Sequence, residues 1–180
     1  MDEMNEMPEV PRVHRVTDAQ AICTVINAAA QVYRGIIPDD CWHEPYMSVQ
    51  ELHQELEDGV VFSGITQGGR LVAVMGFQAR GAVELIRHAY VIPPQQRTGM
   101  GRTLLHWIHR HASAPTLVGT WAGANWAIRF YENNGYQLLN PQDTARLLET
   151  FWRVPKHQAQ ASVVLARGQA LAALRIAGEV

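Results

Sequence analysis

Apolar and polar residues alternate along the chain with two different spacings, one typical of strands and one typical of helices. Runs rich in β-branched and aromatic residues, bounded by turn residues, predict seven strands, at 13–16, 60–66, 70–78, 83–92, 116–121, 136–139 and 161–166. Apolar residues three and four positions apart predict helices that begin near residues 17, 48, 99, 125 and 143. Capping-box patterns at 17–20 and 48–51 mark the starts of the first two helices, and the first is expected to end near Gly35.

The order of these elements predicts the fold class. Turn signals at 67–69 and 79–82 join neighbouring strands as hairpins, whereas helices separate the later strands. We therefore expect an α/β fold with a mixed, mostly antiparallel twisted central sheet of about seven strands and helices on both faces. One domain is expected over residues 12–167, preceded by a flexible lead-in at 1–11 and followed by a helix or tail at 168–180.

Composition and charge argue against several classes of protein. The 180 residues include 15 Lys+Arg and 17 Asp+Glu, a net charge of −2, so no global field favours nucleic acid or an anionic membrane. Cys23 and Cys41 show no CxxC or Cys/His spacing, so we expect free thiols and no metal site. The N-terminus lacks a signal-peptide pattern and no apolar run is long enough to span a bilayer, which favours a cytoplasmic location.

The clearest chemical signal is the junction between a strand and a helix at residues 96–101, which reads QRTGMG. Helix N-termini present unpaired N–H groups and a partial positive charge, and glycine lets an anion approach the backbone. A dinucleotide-binding fingerprint would need glycine where Leu104 stands, and a P-loop would need a lysine that is absent. The junction is therefore predicted to bind phosphate groups through a different pattern.

This junction resembles the acyl-CoA pyrophosphate loop of the GNAT superfamily of N-acyltransferases, whose pattern is Q/R-x-x-G-x-G/A. A second segment, NWAIRFYENNGY at 125–136, looks like the superfamily's N-x-x-A-x-x-F-Y-x-x-x-G-F, with Tyr136 in place of the usual Phe. Two motifs in this order are more specific than either one alone. The resemblance covers the chain from Val13 to about Leu139.

The resemblance implies acetyl-CoA as a co-substrate. Backbone amides of 97–101 would hold the pyrophosphate, and the pantetheine arm would lie along the strand at 89–91, opposite Thr120 and Trp121. Asn125 is also explained as a helix N-cap alone. The cofactor-binding residues predicted in this way are Ala89, Tyr90, Val91, Gln96, Arg97, Thr98, Gly99, Met100, Gly101, Arg102, Asn125 and Tyr131.

The resemblance also implies direct transfer of the acetyl group to an amine, without a covalent enzyme intermediate. Tyr131 matches the position of the acid that protonates the departing thiolate, although a core aromatic residue is an alternative interpretation. His88 and Glu84 lie on the strand before the loop and are candidates for the base that deprotonates the amine. Both can instead be polar residues on a strand face whose hydrogen bonds are made by neighbouring residues.

Acceptor specificity is expected in the loop at 36–47 and around 143–157. Trp42, Glu44 and Tyr46 could hold a cationic amine by cation–π contact and charge, and Trp121 is a further substrate-binding candidate. A net charge near zero favours a small-molecule primary amine over a basic protein tail. Two functions stay open: an N-acetyltransferase, or an acyl-CoA-binding sensor or interaction module without catalysis. A homodimer is possible, but nothing in the sequence fixes it.

Overall fold

The computed structural model describes residues 11–167 together with Ala172 and Leu174. The predictions for the lead-in and for 168–180 therefore lie almost wholly outside it. Within the described residues no helix is long and apolar enough to cross a bilayer. The strands are β1 Val13–Val16, β2 Val61–Gln67, β3 Arg70–Arg80, β4 Val83–Val91, β5 Thr116–Trp121, β6 Tyr136–Leu138 and β7 Ser162–Arg167. The α-helices are α1 Ala19–Ala30, α2 Val49–Glu57, α3 Met100–His111, α4 Asn125–Glu132, α5 Pro141–Phe151 and α6 Lys156–Gln160.

The strands form one mixed sheet in the order β1-β2-β3-β4-β5-β7-β6. All neighbouring strands run antiparallel except β4 and β5, which run parallel. A parallel pair needs a crossover, and α3 supplies it. The predicted fold class is confirmed, including the number of strands and the two hairpins that join β2, β3 and β4.

Helices cover both faces of the sheet because neighbouring strand residues point to opposite sides. On one face, Phe62 and Val74 pack with the buried residues of α1 and α2. Leu85 and Leu117 pack against α5, and register with β3 puts Leu85 on the same face as Val74. On the other face, Ile86 packs with buried residues of α3 and with Tyr131 of α4.

The sheet opens between β4 and β5. Register between them runs from Glu84 opposite Thr116 to Ile86 opposite Val118 and does not continue along the rest of either strand. A β-bulge in β4 follows this paired stretch, because the single residue between Val74 and Gly76 of β3 lies opposite the two residues between Arg87 and Tyr90 of β4. His88 lies within the bulge and has a left-handed φ of 49°. The backbones of β3 and β4 lie so close at the bulge that position 76 requires glycine, because a Cβ there would meet the Arg87 carbonyl oxygen at 2.8 Å.

Some helix boundaries differ from the sequence predictions. The predicted box at 48–51 is confirmed, with Ser48 and Glu51 bonding each other's backbone N–H. The first helix is capped by Asp18 rather than Thr17, because the Asp18 carboxylate accepts from the Ala21 N–H at 3.0 Å. Asn125 is not a cap: it is the first helical residue of α4 and Ala124 takes the N-cap position. The short helix α6 was not predicted.

The candidate active site

A cleft of about 1010 Å³ passes through the gap between β4 and β5. One end lies at the loop that joins β4 to α3. The other lies among aromatic side chains from the 3-10 turn Gln31–Tyr33 after α1, the loop at 36–47, β5 and α4. The volume is at the upper end of ordinary ligand sites. Residues 89–91 of β4 and 119–121 of β5 line the middle of the cleft. The two strands are not paired with each other along this stretch. An extended ligand can therefore lie along an unpaired strand edge there.

The loop end of the cleft is an anion site made mainly of backbone. Arg97 and Gly99 have positive φ values of 64° and 90°, and Gly99 is the N-cap of α3. Thr103 is the first helical residue whose N–H bonds a carbonyl, that of Gly99 at 2.9 Å. The three N–H groups before it, from Met100 to Arg102, have no intrahelical acceptor, as expected for a helix start. These donors and the helix dipole favour a phosphate at this end.

Side chains hold this loop in shape. The Gln96 amide donates to the Val91 carbonyl at 3.1 Å, and the Thr98 hydroxyl donates to the Gln95 carbonyl at 2.6 Å. Gln96 therefore ties the loop back to β4 and does not present that amide N–H to a ligand. Arg97 and Arg102 are exposed at the cleft, which gives this end a positive charge.

At the bulge, His88 lines the cleft and faces Glu55 of α2. Its Nε2 lies 3.2 Å from one Glu55 carboxylate oxygen, but the two atoms are not aligned for a hydrogen bond. The other Glu55 oxygen accepts from Arg87 at 2.9 Å, and Arg87 also donates to Gln78 at 2.8 Å. Burial alone would raise the pKa of Glu55, but contact with His88 and the charge of Arg87 outweigh it and lower that pKa. Glu55 is therefore a carboxylate at neutral pH.

Tyr131 lines the cleft from α4 and is 4% exposed. Its ring meets Phe130 and Tyr136 edge to face, with centroid distances of 5.1 and 5.4 Å. Burial raises the pKa of its phenol strongly, and the neighbouring Tyr136 and Tyr33 add to the effect. Tyr131 thus keeps its proton at neutral pH.

The opposite end of the cleft is walled by aromatic rings. Tyr33 lies 5.8 Å from Tyr46 and 5.7 Å from Trp126 between ring centroids, and meets Tyr90 edge to face at 6.3 Å. The Trp121 indole N–H donates to the Tyr46 hydroxyl at 3.0 Å. Burial raises the pKa of Tyr33 to about 12, so this wall is uncharged at neutral pH.

The structure brings most of the predicted site residues to one cleft. Every predicted cofactor-binding residue lines it except Asn125, whose side chain is exposed elsewhere on α4. Among the substrate-binding candidates, Tyr46 and Trp121 line the cleft, while Trp42 packs behind Tyr46 at 5.6 Å. Glu44 lies on the surface, 3.3 Å from Arg34.

Of the candidates for proton transfer, Tyr131 and His88 line the cleft and Glu84 does not. Glu84 is 6% exposed at the start of β4, where β4 and β5 are still paired. Its carboxylate accepts hydrogen bonds from the N–H groups of Ser113 and Ala114 and from the Ser113 hydroxyl. These contacts explain Glu84 as a buried group that fixes the turn after α3.

Several residues of the cleft region were not predicted as site residues, among them Glu55, Tyr33, Trp126 and Trp152. Glu55 lies beside the apolar stripe of α2, and its position there gives no sign of contact with β4. The Trp152 indole packs over Gly119, where a Cβ would come within 3.3 Å of the ring. Trp126 is 43% exposed. Its position in the second motif, at 125–136, was the feature of the sequence that could have marked it as a site residue.

Several solved structures share this architecture. The PaiA N-acetyltransferase of Thermoplasma acidophilum, solved in complex with coenzyme A, superposes with a TM-score of 0.66 at 14% identity over 88% of this chain and 99% of that one. A GNAT-family acetyltransferase of Staphylococcus aureus Mu50 also gives 0.66 at 14% identity, over 88% and 98% of the two chains. The ribosomal-protein-S18-alanine N-acetyltransferase of Escherichia coli gives 0.60 at 16% identity, over 88% and 93%. The fold is that of the N-acetyltransferases.

Part of the sequence also matches a family model. Residues 57–138 match the family model described as "Acetyltransferase (GNAT) domain", a segment that runs from the end of α2 through both predicted motifs. No curated protein matches the chain at a significant level. Over this segment the chain is therefore similar to the GNAT acetyltransferases.

Proposed function

We propose that this protein is an N-acetyltransferase that moves an acetyl group from acetyl-CoA directly to a small primary amine. The observation that carries the proposal is the gap between β4 and β5, with the N-terminus of α3 at one end and an aromatic wall at the other. The pyrophosphate binds the amides of residues 97–101, and the pantetheine arm lies along residues 89–91. The coenzyme A in the solved Thermoplasma relative supports this assignment.

Transfer takes place at the bulge of β4. An N–H of the bulge polarises the thioester carbonyl, an effect that contributes a few kcal/mol in comparable oxyanion sites, roughly 3. The neutral amine attacks the carbonyl carbon, the carbon–sulfur bond breaks, and coenzyme A leaves as a thiolate. Tyr131, whose phenol is protonated at neutral pH, gives its proton to that sulfur, and the phenolate regains a proton from solvent after coenzyme A leaves.

The base in this proposal is His88, assisted by Glu55. Because Nε2 of His88 faces the Glu55 carboxylate, the other ring nitrogen is the one available to take a proton from the amine. The negative charge of Glu55 stabilises the imidazolium that forms. Glu84, buried under the turn after α3, is too well satisfied and too far from the gap to share this role.

The acceptor is bound mainly by rings rather than by charge. Among the described residues that line the cleft there is no Asp or Glu, and Glu44 is engaged with Arg34 outside it. Tyr33, Tyr46 and Trp126 instead offer apolar faces. We therefore propose an amine carried on an aromatic or apolar body in preference to a polyamine.

A thiol-release assay with acetyl-CoA and an amine panel tests the proposal. The panel pairs 2-phenylethylamine with 1,4-diaminobutane, and adds a peptide with a free N-terminus and a lysine side chain. We expect the aromatic amine to give the largest kcat/KM. If acetyl-CoA binds but no amine accelerates thiol release, the protein is a binding module and the catalytic proposal is wrong.

Two variants assign the acid. Tyr131→Phe should lower kcat by about a hundredfold, at the lower end of general-acid effects, and leave acetyl-CoA affinity unchanged. Tyr136→Phe is the matched control, because it removes a hydroxyl from the adjacent buried ring outside the cleft lining. Equal activity of the two variants would remove Tyr131 from the mechanism.

A further inference from the structure

The structure brings together three metal-binding side chains whose sequence spacing gave no metal signal. Asp40 and Cys41 lie in a 3-10 turn within the loop at 36–47, and His157 lies in α6. One carboxylate oxygen of Asp40, the Cys41 sulfur and one His157 ring nitrogen all lie within 4.8 Å of one another. We propose that these residues bind a divalent transition metal of the zinc type. The proposal does not depend on the acetyltransferase activity.

The donor set fits zinc better than a hard cation. Zn²⁺ takes sulfur, imidazole nitrogen and carboxylate oxygen at about 2.0–2.3 Å in a tetrahedron, so its donors lie roughly 3.3–3.7 Å apart. The observed separations exceed this by about 1 Å at most, which rotation of surface side chains can close, since Asp40 and His157 are exposed. A carboxylate, a thiolate and a neutral imidazole balance the two positive charges of the metal. Mg²⁺ and Ca²⁺ would not select a thiolate or an imidazole.

A plain ion pair explains less of this arrangement. His157 Nε2 and Asp40 Oδ2 are 3.9 Å apart, and their side chains are 50% and 66% exposed. An exposed pair of this kind contributes little to stability and gives no role to the thiol beside it. Convergence of carboxylate, thiol and imidazole from two distant segments is what a three-ligand site needs, with water as the fourth ligand.

The site would join two walls of the cleft. Tyr46, in the same loop as Asp40 and Cys41, and Gln158, next to His157, both line the cleft. The far end of that loop is already fixed, because the Asn27 side chain makes two hydrogen bonds of 2.8 Å with the Met47 backbone. A metal would fix its middle to α6.

Metal binding can be measured on untagged, metal-stripped full-length protein. Zn²⁺ titrated in a calorimeter should bind one-to-one, and Co²⁺ should give a thiolate-to-cobalt charge-transfer band. Cys41→Ser should abolish the band, and His157→Gln and Asp40→Asn should weaken Zn²⁺ binding at least about tenfold. Cys23→Ala, which removes the thiol buried in α1, and His43→Gln, which alters an exposed histidine of the same loop, should leave binding unchanged.

Hydrogen exchange supplies a structural readout. Zn²⁺ should slow amide exchange at 39–43 and at 156–160 in the wild type, and should not do so in His157→Gln. No saturable binding of Zn²⁺, or a charge-transfer band that survives Cys41→Ser, would overturn the proposal. Equal protection in wild type and His157→Gln would also overturn it, because the metal would then bind elsewhere.

Discussion

The two ends of the cleft are built in different ways. The cofactor end is one continuous segment, 95–102, whose donors are mostly backbone N–H groups at the start of α3. The acceptor end is assembled from side chains of the 3-10 turn after α1, of α4 and β5 and of the loop at 36–47, with Glu55 of α2 behind His88. Backbone donors depend on local conformation, and assembled side chains depend on tertiary packing. A substitution should therefore act locally at the first end and across elements at the second.

The largest effect is expected at the junction of α2 and β4. Glu55→Gln keeps the shape of the side chain but leaves Arg87, which is 17% exposed, without its carboxylate partner. Loss of one member of a buried ion pair costs about 3 kcal/mol of unfolding free energy. Urea unfolding should show this loss, and kcat should fall because His88 loses its oriented neighbour.

Glu57→Gln is the matched control, since Glu57 is exposed on the same helix. It should stay within about 0.5 kcal/mol of the wild type. If Glu55→Gln behaves like this control, the acceptor end does not depend on the α2–β4 contact, and the contrast between the two ends is lost.

The next largest effect tests the cofactor end. Gly99 has a φ of 90° with open space at its Cβ position, so Gly99→Val adds backbone strain without a clash. The left-handed conformation costs roughly 1–2 kcal/mol for a residue with a Cβ. We expect the loop to relax and acetyl-CoA affinity to fall about thirtyfold by calorimetry, which corresponds to about 2 kcal/mol.

Gly81→Val separates strain from binding. Gly81 also has a positive φ, 56°, and open space at its Cβ position, but it lies in the β3–β4 hairpin turn. This variant should lose stability while it keeps acetyl-CoA affinity. A similar loss of affinity in both variants would show that acetyl-CoA binding does not depend on the conformation of the loop at 95–102 alone.

A smaller effect concerns the acceptor wall. Trp126 is 43% exposed and its ring lies 5.7 Å from Tyr33. Trp126→Ala should raise KM for the aromatic amine about fivefold, since an aromatic contact contributes about 1 kcal/mol, and should leave acetyl-CoA affinity unchanged. Leu138→Ala, at an equally exposed apolar residue of β6, should change neither constant. A raised KM for acetyl-CoA alone would place Trp126 at the cofactor end instead.

The same contrast explains what the sequence could predict. Strand β5, the capping box at Ser48 and the loop at 96–101 are local patterns, and all three lie where they were expected. Glu55 could not be found, because its contact with His88 depends on how α2 packs across β4. Glu84 and His88 looked equivalent on one strand, but the bulge at His88 and the pairing at Glu84 separate them. Neither the bulge nor the strand pairing can be read from the spacing of apolar and polar residues.

The smallest effect lies where the two ends meet, at the ring that supports Tyr131. His109 Nε2 lies 2.8 Å from the Tyr136 hydroxyl, which donates to Thr116 at 3.1 Å, so neutral His109 fits this chain of hydrogen bonds as a donor. Burial lowers the pKa of His109 from 6.5 to about 4, and Arg167 and His106 add to the effect. Between these two pH values the unfolded chain binds the extra proton and the folded chain does not.

Stability should therefore be fully present above pH 6.5 and fall as the pH approaches 4. The imidazole is only about half buried, so solvent screening reduces the expected loss to about 1 kcal/mol. Urea unfolding at pH 7 and pH 4.5 measures the difference, and His109→Gln should remove most of it. His53→Gln, at an exposed histidine of α2, should keep it. If His109→Gln retains the full difference, another group titrates, and the support of Tyr131 through Tyr136 is independent of pH.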